Sequence, residues 1–260
     1  MSGKQAIKTI KEGAVSITIK NGYLRYLDSE EVIFKHLNVN IKAGVWTCIL
    51  GRSGCGKSSL LRYLANLLEE KVLWKGKLTT APLCDSKHEI AYMAQQDLLM
   101  PWLSVLDNVL LSTKFSATDK IKIQHEKAQD LLIKVGLSDK AHYLPQQLSG
   151  GMRQRVALAR TLMQDKPIVL MDEPFSALDA VTRYRLQNLA YQLLQDKTVV
   201  LITHDPQEAI RLASQLYIMQ GKPAYAELLS VPETKPPRDF DAQGAQLQQQ
   251  IMHRLEQDYE

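Results

Sequence analysis

The first residues in this chain with obvious chemistry sit between an apolar stretch and a leucine-rich one. Gly51-Arg52-Ser53-Gly54-Cys55-Gly56-Lys57-Ser58 fits the pattern G-x-x-x-x-G-K-[ST]. Glycines there let the backbone turn sharply, so that successive N–H groups point into one concavity. A helix beginning at the end of the loop adds the positive end of its dipole. Lys57 then offers a compact cation to the β- and γ-phosphates of a nucleotide, and Ser58 an oxygen ligand for Mg²⁺. Ser53, Gly54, Cys55, Gly56 and Ser59 complete the candidate nucleotide cradle. Cys55 reads as a small filler residue far more readily than as a nucleophile.

Two more segments end where a phosphate would lie. Ile168-Val169-Leu170-Met171 is an apolar strand that runs into Asp172 and Glu173. Acids at the C-terminal end of a parallel strand stand at the ligand edge of an open α/β sheet. Asp172 can hold Mg²⁺ through water, and Glu173 can orient and deprotonate an attacking water. His204 follows a second such strand, Val199-Val200-Leu201-Ile202-Thr203, which would carry it toward the γ-phosphate. A further loop, Leu148-Ser149-Gly150-Gly151-Met152-Arg153-Gln154-Arg155, again looks like a helix N-terminus able to bind an anion. It has no phosphate left to bind in its own subunit.

The elements that must position these residues are legible in part. Val15, Ile17 and Ile19 alternate with polar residues, as do Leu37, Val39 and Ile41, which predicts half-buried antiparallel strands near the start. Val45 to Leu50 predicts a buried strand before the glycine loop, and Leu60, Leu61, Leu64, Leu67 and Leu68 predict one apolar helix face after it. From roughly Asp97 to Asp165 strand signals vanish. Ile121, Ala128, Leu132 and Val135 fall at helical spacings, and Ser149 can cap a helix through Val156, Ala159 and Leu162. Leu186, Leu189, Ala190, Leu193 and Leu194 predict another helix between the last two apolar strands, so the sheet should be parallel. Val231 to Arg238 reads as a linker, and Leu247, Ile251 and Leu255 predict a short terminal helix.

Composition excludes several classes. Hydrophobic residues are 45% and charged residues 23%, as in ordinary globular proteins, which rules out general disorder. A net charge of +4 is too small to imply nucleic acid. Cys48, Cys55 and Cys84 make no zinc-like spacing and read as reduced thiols. No stretch reaches the roughly 18 apolar residues of a membrane helix. Residues 1–13 hold no apolar signal core, so a protein kept in the cytosol is expected.

Taken in order, these pieces resemble the ATP-binding-cassette (ABC) ATPases over about residues 14 to 225, and Leu148 to Arg155 is similar to that family's signature loop. The resemblance implies an α/β fold of the P-loop NTPase, ABC-ATPase type. It would have a mixed, largely parallel sheet core, an N-terminal antiparallel β subdomain and a helical insert at about 97–165. The ATPase domain would span 1–230, followed by a linker and short helix at 231–260. It implies ATP and Mg²⁺ as ligands, and two copies paired head to tail, with Ser149, Gly150 and Gly151 of each closing on the other's γ-phosphate. Gln95 then corresponds to the Q-loop glutamine that senses metal and γ-phosphate and hinges the insert. Glu173 corresponds to the catalytic glutamate, His204 to the switch histidine and Asp179 to the D-loop acid. Tyr26 is the candidate for stacking on adenine. Leu27 and the acidic stretch Asp28 to Glu31 depart from the family pattern there and keep Tyr23 open as well.

Leu98 to Val109 resembles more specifically the importer ATPases for nitrate, sulfonates, taurine and a hydroxymethylpyrimidine thiamine precursor. The implied partners are an integral membrane permease and, through it, a substrate-binding protein. The implied place is the cytoplasmic face of the membrane. Leu98, Leu99, Met100 and Trp102 read equally as core and as the groove for a permease helix. A soluble ABC ATPase acting on ribosomes or DNA is the alternative, but such proteins carry a second cassette or long coiled-coil insertions, and no basic stripe is present here. A GTPase reading rests only on Asp241-Ala242-Gln243-Gly244, a DxxG string in the polar tail.

Overall fold

The computed structural model describes residues 14–83, 89–115 and 121–258, so Cys84 lies outside the described residues. The N-terminal alternation forms β1 (Ser16–Tyr26) and β2 (Val32–Ile41), paired antiparallel with Ile17 opposite Ile41 and Ile19 opposite Val39. β3 (Trp46–Gly51) is buried throughout and leads through the glycine loop into α1 (Lys57–Leu64). α1 stops short of the leucine pattern: Asn66 takes a left-handed φ of 58°, which leaves Leu67 51% exposed while Leu68 stays buried. β4 (Val72–Ala81) pairs with β1 and closes a small sheet in the order β2-β1-β4. None of its residues is buried, so no period-two pattern announces it.

A second, six-stranded sheet carries the ligand edge. Its strands are β3, β5 (Ile90–Met93), β6 (Ile168–Asp172), β7 (Thr198–Ile202), β8 (Gln215–Gln220) and β9 (Tyr225–Leu229), in the order β5-β6-β7-β3-β8-β9. All neighbours are parallel except β8 and β9. Between β5 and β6 the described chain is helical. It holds α2 (Val105–Val109), a 3₁₀ segment at Leu110–Phe115, α3 (Ile121–Lys134) and α4 (Gly150–Met163). Then come α5 (Ala180–Leu193), α6 (Pro206–Leu212) and a terminal α7 (Ala242–Gln257). Among the described residues no helix is long and apolar enough to cross a membrane.

The central strands β3, β6, β7 and β8 are buried on both faces, which explains their unbroken apolar runs. Val169 and Met171 of β6 pack into one core with Leu106, Leu132 and Val156. Their neighbours Ile168 and Leu170 pack into the other with Phe34, Leu60 and Leu61. Each such fully buried aliphatic side chain contributes about 1.5–3 kcal/mol. The parallel strands thus form a rigid floor whose C-terminal edge cannot shift piecemeal. The DxxG string of the tail is a helix cap: Asp241 Oδ1 accepts from Gly244 N at 2.8 Å. The stretch expected as a linker is anchored at its last residue: Arg238 is buried and donates to the carbonyls of Ile210 (2.8 Å) and Ala213 (2.6 Å) at the end of α6, while Glu233, Thr234 and Lys235 are exposed.

Candidate functional site

β3 delivers the glycine loop to the sheet edge. Gly56 takes a φ of 97°, and α1 starts there without any side-chain cap, so its first N–H groups are left for a ligand. A side chain at Gly56 would be strained by that φ and would lie 2.4 Å from Ile33, so the loop needs glycine. Lys57 is buried, and its Nζ donates to the carbonyls of Gly51 and Arg52, each at 2.7 Å. The amine is thus folded under its own loop, within one rotation of any phosphate the loop holds. Cys55 is buried 3.9 Å from that amine, and burial pushes its thiol up, which keeps it neutral and unreactive. Ser53 and Gly54 are exposed on the rim. The Tyr26 hydroxyl lies 3.0 Å from Ser59 Oγ, whereas Tyr23 pairs across the small sheet with Lys75, whose Nζ stands 5.7 Å above its ring.

Next to this loop three strand ends meet at one atom. β5, β6 and β7 are adjacent and parallel, so Gln95, Glu173 and His204 emerge side by side. Glu173 Oε2 lies 3.2 Å from Gln95 Nε2 and 3.1 Å from His204 Nδ1. Glu173 also has a left-handed φ of 50°, held by its N–H donating to Ile202 O at 2.9 Å. A non-glycine residue in that region stores strain, and such strain is concentrated at functional positions. Asp172 is buried, burial raises its carboxyl, and a Ser58 hydrogen bond opposes that shift. Its Oδ2 has no hydrogen-bond partner. An orphaned carboxylate oxygen on a residue that a serine hydroxyl also meets is an oxygen set that suits a hard dication. Among the described residues no cluster of three His, Cys, Asp or Glu side chains could hold a metal alone, so phosphate and water oxygens would have to complete it.

The second anion loop is finished differently. Ser149 caps α4 and accepts from Met152 N at 3.3 Å. A Cβ built on Gly151 would meet the Ala177 carbonyl at 3.1 Å, so close packing demands glycine there. A Cβ built on Gly150 would meet nothing nearer than Arg153 Nη2 at 3.9 Å, and Gly150 is exposed. No described residue of this chain needs Gly150 to be bare. A cavity of about 400 Å³ beside it is lined by Gln95, Asp97, Arg153, Gln154, Ser176 and Ala177, and by no residue of the phosphate loop. The structure therefore brings Asp172 to Ser58 of the phosphate loop and Gln95 and His204 to Glu173, and leaves Ser149 and Gly150 exposed. Asp179 caps α5 through Thr182 N, and the hydrogen bond from that backbone N–H holds its carboxyl below the usual range.

Three functional contacts have no local sequence signal beyond their place in a motif. Gln154 is buried; its Nε2 donates to Glu173 O at 3.0 Å and its Oε1 accepts from Ala177 N at 2.9 Å. It joins α4 directly to the acid. Arg160 donates to the carbonyls of Asp97 (2.6 Å) and Leu98 (2.8 Å), and Arg153 Nε pairs with Asp97 Oδ2 at 3.0 Å. These arginines fasten the segment after Gln95 to α4. The apolar cluster there splits: Leu99 is buried, while Leu98 is 53% and Trp102 72% exposed.

Comparison with known proteins agrees with this geometry. The sequence profile of the ABC transporter family matches residues 34–176. An ABC transporter ATP-binding protein of Haemophilus influenzae, itself uncharacterized, is 44% identical over 229 residues, covering 86% of this chain and 93% of the relative. An aliphatic sulfonates import ATP-binding protein, SsuB, of Pectobacterium atrosepticum is 40% identical over 86% of this chain and 81% of its own length. Among solved structures, the dimeric post-hydrolysis state of the ATP-binding cassette MJ0796 with ADP and Pi superposes with a TM-score of 0.70. It is 32% identical and covers 86% of this chain and 100% of that one.

Proposed function

Because this chain belongs to the ABC transporter family, we infer that it is the ATP-hydrolysing subunit of a membrane importer, working as a head-to-tail pair on the cytoplasmic face of the membrane. The observation that carries the catalytic reading is the meeting of Gln95 and His204 on one oxygen of a strained Glu173, beside a phosphate loop that holds its lysine beneath its own carbonyls.

Lys57 leaves the Gly51 and Arg52 carbonyls and turns to the β- and γ-phosphates of ATP, while the loop N–H groups and the α1 N-terminus hold the remaining oxygens. Tyr26 stacks on the adenine. Glu173 orients a water and takes its proton, and His204 and Gln95 fix the Glu173 carboxylate in the productive direction. Ser58, Asp172 and Gln95 are the residues that would hold Mg²⁺, which when bound neutralises charge developing on the phosphates. The bare Gly150 supports closure by a second copy: the Ser149–Gly151 N-terminus of one chain caps the γ-phosphate held by the other, as the family resemblance implies. The domain responsible is residues 1–230, with 97–165 as its helical lever.

Leu98 and Trp102 supply the exposed apolar surface where a permease helix docks, next to a segment that Arg153 and Arg160 tie to α4. A substrate-binding protein reaches the complex through that permease. The similarity to aliphatic sulfonates import proteins favours a sulfonate-like anion as cargo; nitrate, taurine and a thiamine-precursor pyrimidine are the other cargoes that the family resemblance implies. Affinity capture of the tagged chain from detergent-solubilised native membranes, followed by mass spectrometry, tests the assignment. A polytopic permease in about equal copy number is the expected result. Ribosomal or DNA-bound partners with no membrane protein would overturn it.

A further inference from the structure

The last described residue of this chain reaches the phosphate loop. α7 packs Leu247 and Ile251 into the core and is stitched on either side, by Gln207 Nε2 donating to Gln248 Oε1 at 3.3 Å and by Arg254 Nη1 meeting Glu227 Oε1 at 2.6 Å. The helix therefore delivers Asp258 to a fixed place. There its Oδ1 accepts from Gly221 N at 2.5 Å, in the turn between β8 and β9. Its Oδ2 stands 3.3 Å from Arg52 Nε, a charge contact rather than an aligned hydrogen bond. Its backbone carbonyl accepts from Arg52 Nη1 at 2.7 Å. Both side chains are largely withdrawn from water, at 16% and 9% exposure.

Arg52 is the second residue of the phosphate loop, and its own carbonyl is one of the two that hold Lys57 Nζ. Asp258 is thus two contacts from the lysine that meets the phosphates, although 206 positions separate it from Arg52. We propose that Asp258 is a positioning residue for nucleotide binding: by clamping the Arg52 side chain against the Gly221 turn, it fixes the backbone of the first half of the phosphate loop before ATP arrives. A loop left to find that shape on binding would spend part of its binding free energy on ordering. The inference rests on the ATP-binding reading above and adds to it a set point for affinity at the far end of the chain.

The full-length protein, an Asp258→Ala variant, a variant lacking residues 258–260, an Arg52→Ala variant and the Arg52→Ala/Asp258→Ala double variant are compared by ATP·Mg²⁺ titration, steady-state hydrolysis and amide hydrogen exchange. The expected result is a Kd for ATP raised about tenfold in Asp258→Ala and in the truncation. kcat at saturating ATP should stay within about twofold. Exchange should quicken in residues 51–57 without nucleotide and stay unchanged in β1, β2 and β4. In the Arg52→Ala background Asp258→Ala should add nothing, because its effect passes through Arg52. Unchanged Kd in both carboxylate-deleting variants overturns the proposal. So does quickened exchange through the whole chain, which would make Asp258 a general stabiliser, or a full Asp258→Ala effect in the absence of Arg52. If the full-length protein itself binds no ATP, the functional reading fails and this inference falls with it. Normal binding by the full-length chain and by every Asp258 variant sinks this inference alone.

Discussion

The loop before α1 and the loop before α4 both offer a helix N-terminus to an anion, yet they are finished in opposite ways. Gly56 leaves α1 without a side-chain cap, Lys57 fills the concavity from below, and Asp258 grips the loop from outside. The α4 loop has its own cap in Ser149, an arginine, Arg153, that is tied to Asp97 and the Leu148 carbonyl, and a glycine, Gly150, that no described neighbour requires. On the proposed reading, the first loop is a complete phosphate site in one chain, and the second is a surface for a phosphate that another copy brings. Its link to chemistry in its own chain is mechanical: Gln154 ties α4 to the Glu173 carbonyl and the Ala177 N–H, and Gly151 packs on the Ala177 carbonyl. An anion captured by one copy can therefore be felt at that copy's own catalytic acid.

The comparison is most severely tested at the acid that both loops serve. Glu173→Gln keeps the shape and removes the base, so turnover should fall on the order of 10²- to 10⁴-fold. ATP should stay bound and the pair stay closed, read as a nucleotide-dependent dimer by size-exclusion chromatography; normal steady-state hydrolysis would remove Glu173 from its role. The loops themselves separate next. Lys57→Ala should weaken ATP binding by the isolated chain about 100-fold. Gly150→Asp should leave that binding within about twofold, because the loop belongs to the other copy's ATP. The new acid also suits the N-terminus of α4, so thermal stability should hold or rise slightly, while hydrolysis falls about 100-fold by repulsion of the incoming phosphate. Loss of ATP binding in Gly150→Asp would mean that both loops serve one chain.

Gln154→Ala should sit between the two, with kcat lowered about tenfold and the Kd for ATP little changed, since it cuts the link without touching either loop. A shifted Kd with normal kcat would place Gln154 in binding instead. The smallest effect concerns stability under the catalytic edge. Glu208 on α6 is buried, accepts from Gln187 Nε2 at 3.0 Å, and is pushed up by that burial to about 7. The folded chain thus holds a proton that the unfolded chain releases above a pKa of about 4.5. The resulting stabilisation is full below that value and is lost as pH rises through about 7. The melting temperature of the wild type should therefore fall relative to Glu208→Gln as pH rises across that interval. Parallel curves would show that Glu208 is not held neutral.

Much of the site was legible because its chemistry is local. A glycine string needs only its own backbone to form a nest, and an apolar run that ends in Asp172-Glu173 or Thr203-His204 tells its own direction. Ser149 caps α4 for the same reason: a cap and its N–H are three residues apart. The small sheet was half legible. β1 and β2 bury one face and show it by alternation, whereas the exposed edge strand β4 has no face to betray. The leucine pattern overran α1 because periodicity does not register a left-handed residue such as Asn66.

The sequence by itself determined which residues can do the chemistry: Lys57 and Ser58 in their loop, Asp172 and Glu173 at one strand end, His204 at another, and a second helix N-terminus for which its own chain has no phosphate. Only the tertiary structure decided that Gln95, Glu173 and His204 share one oxygen, although 78 positions separate the first two, that Gln154 holds the acid from behind, and that Asp258 holds the phosphate loop from outside. The physical reason is that such contacts depend on the strand order β5-β6-β7-β3 and on where α4 and α7 dock. Those are set by the sum of many buried contacts on the two faces of the sheet, and no short stretch of the chain carries that sum.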